Sequence, residues 1–265
     1  MLEQKVILNP MRRPHLKPAL SLAALAPLLA GCASNEISGL GFEEGVSSVN
    51  DHALSLWQGA WIAGAVVGIF TLILILWPAF FHRKKDENFP KQTQYNIPVE
   101  IAYTLIPFLI VAVLFYFTVQ RESRILKISP DSQVSHYIDV VGFQWSWQFK
   151  YKDAGDFKSA TVTGSPAQPP SLYLPQGEKV RFTLDANDVV HGFWIPAFMI
   201  QMQNLPGVTN QLEFTANKLG TYPGRCNILC GRNHAQMLFT VKVVTPQEYQ
   251  SYIEGLVAQE KAAIA

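Results

Sequence analysis

The sequence predicts two membrane-spanning α-helices followed by a small all-β domain. Charged residues make up only 15% of the 265 residues, against about 25% in an average soluble domain. Two apolar runs are each long enough for the roughly 20 residues that cross a bilayer. Beyond residue 129 these runs give way to short strand-like segments separated by Gly, Pro and Asn, which is typical of a β domain.

Residues 1–31 have the features of a bacterial lipoprotein signal peptide. A basic region is formed by Arg12, Arg13 and Lys17. An apolar stretch follows over residues 19–30, and the ending Leu29-Ala30-Gly31-Cys32 resembles a lipobox, in which the cysteine is acylated and becomes the new N-terminus. Cys32 is therefore the predicted lipidation site. The alternative is an ordinary signal peptide with a chance cysteine, and Met11 is a second possible start.

The two predicted spans cover residues 56–81 and 97–119. No charged residue occurs from Ala53 to Phe81, and tryptophans lie near the ends of that stretch, as in an aromatic belt. The second span carries one acid, Glu100, near its start. An acid about one turn into a span is costly unless it faces protein or water. Glu100 is thus either an interfacial acid or, at the cytoplasmic end, a group that takes up protons.

The loop between the spans predicts the orientation of the chain in the membrane. Its basic residues are Arg83, Lys84, Lys85 and Lys91, whereas residues 33–56 contain no Lys or Arg. The positive-inside rule places this loop in the cytoplasm and both ends outside, and the signal peptide supports the same topology. Three basic residues after the second span run against the rule: Arg121, Arg124 and Lys127.

The C-terminal half is predicted to be a β-sandwich or barrel. Its strand-like segments are His136–Tyr151, Ser171–Leu174, Lys179–Asp185, Val189–Ile195, Asn210–Thr215 and Met237–Val244. Their spacing of about ten residues disfavours alternating βαβ units. Residues 153–170 are predicted to form a loop, and a polar helix is predicted from Pro246 to Ala262. The predicted domains are a signal peptide (1–31), an N-terminal segment with the helical hairpin (32–128) and the β domain (129–265).

The strongest functional signal is a cluster of metal-ligand side chains in the β domain. Its members are His191, Cys226, Cys230, His234 and Met237. Thiolate and thioether are soft ligands that favour copper over calcium or magnesium, and a blue-copper site uses two His, one Cys and a weak axial Met. The second cysteine lets two thiolates bridge two copper ions, which leaves one imidazole for each ion.

Three other arrangements remain open on this chemistry. Structural zinc accepts two Cys and two His, but it does not require Met237, and the spacing is not that of a zinc finger. A Cys226–Cys230 disulfide is plausible outside the cell, but it leaves the histidines and the methionine unexplained. A mononuclear copper site leaves one cysteine without a role.

These features together resemble cytochrome c oxidase subunit 2. The resemblance rests on the loop C-x-x-x-C-x-x-x-H-x-x-M, the upstream D-x-x-H-x-F-W-x-P, the aromatic run of residues 142–147 and the two preceding spans. It implies an all-β cupredoxin (Greek-key) domain with a dinuclear copper A centre. The family takes electrons from cytochrome c and passes them to haem in subunit 1. Oxygen is reduced there to water with proton pumping, and subunit 1 alone holds the haems and copper B.

The resemblance also implies roles for individual residues. The implied copper ligands are His191, Cys226, Cys230, His234, Met237 and the backbone carbonyl of Ile228. Trp145 matches the family's electron-entry tryptophan, and Glu100 matches the acid at the mouth of the K proton pathway. The implied location is the bacterial cell membrane, with several spans, a copper domain on the extracytoplasmic face and an N-terminal lipid anchor.

The chain departs from the family pattern at several positions. Ile228 replaces the usual Glu that helps bind magnesium or manganese at the border with subunit 1, Val208 replaces an Arg, and Ser146 stands where Tyr is common. Where mitochondrial members carry acids for soluble cytochrome c, this chain has Lys150 and Lys152 with only Asp153. No C-x-x-C-H haem motif follows the domain. We therefore expect a separate membrane-anchored cytochrome c as donor, in a supercomplex with a cytochrome bc complex.

The expected partners are subunit 1, other oxidase subunits and membrane lipid. The net charge of +1 gives no argument for nucleic acid. Quinol oxidase subunit 2 shares the architecture but lacks the copper ligands, and nitrous oxide reductase would add several hundred residues. A copper-delivery lipoprotein would not require Glu100 or Trp145, and a plain extracellular binding module is less supported.

Overall fold

The computed structural model describes residues 41–84, 86–87, 89, 92–152, 154 and 160–264. The predicted signal peptide, Cys32, Lys85, Lys91 and Asp153 lie outside the described residues. From Phe42 onward the chain folds as one unit in which two long helices precede a β-sandwich.

Both predicted spans are helical, and both are longer than the apolar runs. Helix α1 covers Asn50–Phe81 and helix α2 covers Ile97–Ile125. Each is long and apolar enough to cross a membrane. The extra turns are polar, and they continue each helix beyond the hydrocarbon core at the end next to the β domain. At its other end α2 begins where the side chain of Asn96 accepts a hydrogen bond from the Val99 backbone N–H, a common N-cap arrangement.

Over its described residues the β domain contains ten strands and a C-terminal helix, α3. They are β1 His136–Phe143, β2 Ser146–Tyr151, β3 Ala160–Thr163, β4 Ser171–Pro175, β5 Lys179–Ala186, β6 His191–Ile195, β7 Ile200–Asn204, β8 Asn210–Thr215, β9 Gly220–Cys226, β10 Leu238–Val244 and α3 Pro246–Ile264. One sheet has the order β3-β2-β1-β5-β8 and the other β4-β10-β9-β6-β7. The pairs β1–β5 and β4–β10 are parallel and the other pairs are antiparallel. The prediction of two apolar helices before a β-sandwich is confirmed.

Four details of the strand prediction are wrong. The single segment 136–151 is a hairpin, β1 and β2, that turns at Gln144 and Trp145. Strand β3 lies inside the predicted loop, and β7 and β9 were not predicted. Strand β9 was missed because it contains Gly and Pro, which usually mark turns. Its Gly224 leaves room for the ring of Phe239 on β10, since a Cβ there would come within 2.2 Å of that ring.

Aromatic side chains fill the space between the two sheets. The buried rings include Trp147, Phe149, Phe182, Phe193 and Phe239. Phe193 on β6 and Phe239 on β10 stack with centroids 5.0 Å apart, and the ring of Trp147 lies 6.2 Å from that of His191. The predicted metal site therefore borders a close-packed core, which restrains the strands that carry its ligands.

The segment before α1 belongs to the packing of the β domain. We call residues 42–49 the N-terminal strap. The backbone N–H of Ser48 donates to the carbonyl of Thr215 on β8 at 2.9 Å, and Asn217 donates to the carbonyl of Val46 at the same distance. The Val46 side chain is fully buried in the core of the sandwich. The strap thus joins the membrane helices to the edge of one sheet.

We expect Val46→Ala to destabilise the full chain by about 1–3 kcal/mol, because the substitution leaves a cavity in the core. Denaturant unfolding of the full chain in detergent, followed by tryptophan fluorescence, measures this loss. Val208→Ala is the matched control, since Val208 is half exposed and its truncation should change stability by less than about 0.5 kcal/mol. Equal stability of the two variants would show that the strap does not contribute to the core.

Candidate metal centre

The five predicted ligand side chains are carried by two strands and one loop. His191 begins β6, and Cys226 ends β9, where it lies opposite Phe193 in the antiparallel pair. The other three ligands lie between β9 and β10. The backbone N–H of Cys226 donates to the carbonyl of Met237 at 3.0 Å, which closes this ligand loop (residues 226–237).

The ligand atoms converge at one place. A ring nitrogen of His191 and the two Sγ atoms of Cys226 and Cys230 lie within 4.8 Å of one another, and all three residues are buried. The two sulfurs are 3.8 Å apart. The Sγ of Cys230 is 3.6 Å from Nδ1 of His234 and 3.7 Å from Sδ of Met237. Two ligand atoms about 2.2 Å from one ion at a tetrahedral angle lie about 3.6 Å apart, so these spacings fit shared metal ions.

The two thiols are free, and they differ in proton affinity. Sulfurs 3.8 Å apart are not bonded, since a disulfide is about 2.05 Å long. Burial raises the pKa of Cys226, but the neighbouring His191 ring and the hydrogen bond from the Gly192 backbone N–H outweigh it and lower the pKa to about 6. Burial and the neighbouring Cys226 thiolate raise the pKa of Cys230 to about 12. Two-thiolate coordination would therefore release the proton of Cys230.

His191 is oriented by a carboxylate that the sequence analysis did not select. Its Nε2 lies 2.8 Å from Oδ1 of Asp188, and its buried Nδ1 has no hydrogen-bond partner within the described part of the chain. A buried polar atom without a partner is unfavourable, and a lone pair on Nδ1 suits a metal ligand whose other nitrogen is held by a carboxylate. The signal was present in the sequence, because Asp188 is the first residue of the D-x-x-H motif.

Asp188 also connects the ligand to the β1–β2 turn. Its Oδ2 accepts a hydrogen bond from the backbone N–H of Gln144 at 2.7 Å. The Asp188 carboxylate therefore holds the ring of His191 next to the β1–β2 turn, and this turn carries Trp145. Both Asp188 oxygens are used, and despite the opposing effect of burial, the hydrogen bonds from His191 and from the backbone lower the pKa of Asp188.

The Ile228 carbonyl lies beside the cluster. Its oxygen is 3.2 Å from Sγ of Cys226, so the backbone can contribute a ligand whatever the side chain. The side chain itself is aliphatic and offers no oxygen ligand for the magnesium or manganese ion that the resemblance associates with a carboxylate at this position. We therefore assign no step to such an ion.

Trp145 lies at the surface next to the ligand loop. It occupies the turn between β1 and β2, and its Nε1 donates to the carbonyl of Cys230 at 3.2 Å, an oxygen that also accepts from Nε2 of Gln144 at 2.8 Å. Gly231 has φ +124°, and a Cβ there would come within 3.0 Å of the Trp145 Nε1. The left-handed glycine therefore lets the loop approach the indole closely.

Trp145 and Trp147, two residues apart, do not share a strand face. Strand β1 ends at Phe143 and β2 begins at Ser146, so Trp145 is not part of a strand. Trp145 is half-buried, whereas Trp147 is fully buried and its Nε1 lies 3.5 Å from the Met237 carbonyl. Position in the hairpin, not strand alternation, separates the surface indole from the core indole.

Glu100 lies in the first turn of α2, well away from the ligand cluster. Its Oε1 accepts a hydrogen bond from the Asn96 backbone N–H at 3.0 Å, and a carboxylate is favourable at a helix N-terminus. At 1.5 Å per residue, the 25 residues from Glu100 to Ile125 span about 38 Å. The hydrogen bond from Asn96 is what an interfacial acid would form. The location of Glu100, at the end of α2 away from the β domain, is where a proton entrance on the cytoplasmic side would lie.

Known proteins resemble the chain over its β domain and over nearly its whole length. A family model described as cytochrome c oxidase subunit II, periplasmic domain, matches residues 136–244, from the first residue of β1 to the last of β10. A probable cytochrome c oxidase subunit 2 from Streptomyces avermitilis is 38% identical over 286 residues, which cover 94% of this chain and 88% of the relative. The chain belongs to the cytochrome c oxidase subunit 2 family.

Further members of the subunit 2 family show the same likeness. Cytochrome c oxidase subunit 2 of Mycobacterium bovis is 34% identical, with 91% of this chain and 81% of the relative covered. The crystal structure of the periplasmic domain of subunit II from Bradyrhizobium japonicum is 28% identical and covers 50% of this chain and 99% of that domain, with a TM-score of 0.44. The element order, the two-sheet topology and the family match over residues 136–244 give the fold of this chain as two apolar helices followed by a cupredoxin domain.

Proposed function

We propose that this chain is the electron-entry subunit of a haem-copper cytochrome c oxidase. It accepts electrons from cytochrome c at a dinuclear copper A centre and passes them to haem in subunit 1. Oxygen is reduced to water there with proton translocation, at haem and copper B. The observation that carries the proposal is the convergence of two thiols, two imidazoles and a thioether in a chain of the subunit 2 family.

Six groups are proposed to hold the copper ions: the side chains of His191, Cys226, Cys230, His234 and Met237 and the backbone carbonyl of Ile228. Copper supplies one-electron chemistry when bound. The chain keeps the site dry, since both cysteines are 4% exposed, and the Asp188 carboxylate fixes the orientation of the His191 ring. A rigid, water-excluded site needs little rearrangement when its charge changes, which favours fast electron transfer.

Trp145 is proposed as the entry point for electrons. Its indole is partly exposed, and its Nε1 donates directly to the backbone of the ligand Cys230. One hydrogen bond therefore connects the donor-facing surface with a ligand residue.

The proposed location is the bacterial cell membrane, with the copper domain on the extracytoplasmic face. The two apolar helices support membrane anchoring. The proposed domains remain the signal peptide (1–31), the segment with the helical hairpin (32–128) and the copper domain (129–265). The N-terminal strap shows that part of the second segment packs with the third.

The proposed donor is a membrane-anchored cytochrome c within a supercomplex with a cytochrome bc complex. The other proposed partners are subunit 1, other oxidase subunits and membrane lipid. The charges at the end of the β1–β2 hairpin support this donor. Lys152 forms an ion pair with Asp139 at 2.8 Å, which leaves that acid neutralised. Such a surface offers little attraction to a donor ringed by lysines.

The intact complex tests this function. Purification through this chain should recover a haem-bearing subunit, and rapid mixing with reduced cytochrome c should reduce copper A before haem. A chain that carries copper without any haem-bearing partner would instead support copper delivery. Reduction of haem ahead of copper A would contradict the entry role.

Cys32 is expected to be the acylated N-terminus of the mature chain, because the lipobox ends there. Mass spectrometry of the native protein should detect a diacylglyceryl-modified Cys32 and no peptide from residues 1–31. An unmodified peptide that runs through Cys32 as the main species would contradict the lipid anchor.

Glu100→Gln is expected to slow oxidase turnover by about tenfold, because it removes a protonatable group at the proposed proton entrance. Reduction of copper A by the donor should stay near the wild-type rate, since the carboxylate lies at the far end of α2. Stopped-flow kinetics separates the two steps. Glu122→Gln, an exposed acid near the other end of the same helix, is the matched control. Normal turnover and proton uptake in Glu100→Gln would leave this residue only its helix-capping contact.

A further inference from the structure

The three basic residues that run against the positive-inside rule lie outside the groups proposed for electron transfer. Arg121, Arg124 and Lys127 follow the second span, on the side proposed to face away from the cytoplasm. The structure places them where the ends of both helices meet the β domain. Arg121 contacts Nδ1 of His52 at 3.4 Å, while Arg124 and Lys127 line a cleft.

We call this feature the basic cleft, a cavity of about 200 Å³. The charged and polar side chains that matter here are His52, Arg124, Lys127, Ser129, Lys179 and Glu213. Lys179 comes from β5 and donates to Ser129 Oγ at 2.8 Å. Neither Arg124 nor Lys127 has a hydrogen-bond or ion-pair partner within the described part of the chain. Three cations, from α2, from the linker after it and from β5, therefore face one small space.

The acid in the cleft does not neutralise these cations. Glu213 is engaged by the Arg181 guanidinium at 2.5 Å and by the Ser129 backbone N–H at 3.0 Å. Burial raises the pKa of Glu213, but these hydrogen bonds outweigh it and place the pKa below its ordinary value. The carboxylate is thus already balanced by Arg181, and the cleft keeps a net positive charge. Like charges held close together repel, and a bound anion would relieve this.

The position of the cleft suits a lipid headgroup. His52 lies in the first turn of α1 and Arg124 in the last turn of α2, and Trp57 follows His52 at the depth where tryptophans mark the membrane interface. An adjoining groove of about 510 Å³ shares Ile125 with the cleft and is lined mainly by apolar side chains, Trp57 among them. A charged cleft at headgroup level beside an apolar groove matches a phospholipid.

Stabilisation of the α2 C-terminus is the simpler role for these cations. Basic side chains in the last turn interact favourably with the helix dipole, and this would account for Arg124 and in part for Lys127. It does not account for Lys179, which belongs to another element and points into the same cleft. A common anionic ligand accounts for the convergence of cations from α2, the linker after it and β5.

We propose that the basic cleft binds the phosphate of an anionic phospholipid in the extracytoplasmic leaflet, with an acyl chain in the adjoining groove. The assignment to that leaflet rests on the proposed function and its topology. Free phosphate presents the same anion to the two lysines and the arginine, so it has the same ligand chemistry as the lipid headgroup. The lipid is favoured because the groove continues the site with apolar surface.

The test uses the full chain in detergent, titrated with phosphatidylglycerol and followed by native mass spectrometry. The double variant Arg124→Gln/Lys127→Gln should bind this lipid roughly 10- to 30-fold more weakly than wild type. The matched control Lys150→Gln/Lys152→Gln loses the same charge from the end of β2 and the residue after it, outside the cleft, and should bind as wild type does. Phosphatidylcholine, which is zwitterionic, should bind wild type no better than it binds the double variant.

Three results would overturn the proposal. The first is equal phosphatidylglycerol binding by wild type and the cleft variant, and the second is an equal loss of binding in the control variant. The third is displacement of the lipid by inorganic phosphate at millimolar concentration, which would assign the cleft to free phosphate. Copper content, recorded on the same samples, should not change in the cleft variant. A failure of the lipid site is thereby distinguished from a failure of the copper A assignment.

Discussion

Cys226→Ser is expected to abolish the dinuclear copper centre and, with it, electron entry. Cys226 lies 3.8 Å from Cys230 and accepts a contact from the Gly192 backbone N–H, and its lowered pKa favours the thiolate that a bridging ligand requires. A serine hydroxyl is a hard, protonated ligand that cannot take this role. The full chain should therefore lose the delocalised mixed-valence spectrum completely.

Met237→Leu is the comparison variant for Cys226→Ser, because it removes a weaker ligand and should have a smaller effect on copper binding. The Met237 sulfur lies beside Cys230 at 3.7 Å, and a weak axial thioether tunes the reduction potential more than it holds the metal. This variant should keep both copper ions and change their potential. A Cys226→Ser chain that still binds two copper ions with a delocalised spectrum would contradict the bridging role of the two thiolates.

Trp145→Phe is expected to slow electron entry at saturating donor by about tenfold or more, equivalent to about 1.4 kcal/mol in the barrier. Phenylalanine keeps an aromatic ring in the turn but removes the Nε1–H that donates to the Cys230 carbonyl. Transient kinetics measures the rate of copper A reduction as a function of donor concentration. A route residue changes the rate at saturation, whereas an interface anchor changes the apparent affinity.

Trp147→Phe is the control for the position of the indole. Trp147 is fully buried against Phe193 and Phe239, so its truncation should lower domain stability or copper retention and leave the saturated rate of the copper-loaded fraction unchanged. If Trp145→Phe transfers electrons at the wild-type rate once saturated, the entry role of Trp145 is wrong.

Local features of this fold could be predicted from the sequence, whereas contacts between distant segments could not. The two helices follow from uninterrupted apolar runs, and four of the five ligand side chains lie within twelve residues, so their chemistry is visible without a structure. The sequence does not predict strand β9 because Gly224, which usually marks a turn, is there to make room for the ring of Phe239. Phe239 lies on β10, later in the chain, so this contact is visible only in the structure.

The roles of Asp188 and Trp145 depended on long-range geometry in the same way. Asp188 orients His191 three residues away, but its second contact reaches Gln144, 44 residues earlier. Trp145 and Trp147 are two positions apart, yet Trp145 is half-buried and Trp147 fully buried, because the chain turns between β1 and β2. The basic cleft combines residues of α2, the following linker and β5, which nothing in the linear sequence brings together.

The most direct test of the copper A assignment is the copper content and electron paramagnetic resonance spectrum of the full chain, loaded with copper without subunit 1. A dinuclear copper A centre predicts two copper ions per chain that share one unpaired electron, with hyperfine splitting from two equivalent nuclei. One copper ion per chain with splitting from a single nucleus would contradict the dinuclear centre. So would a chain that takes up zinc in preference to copper.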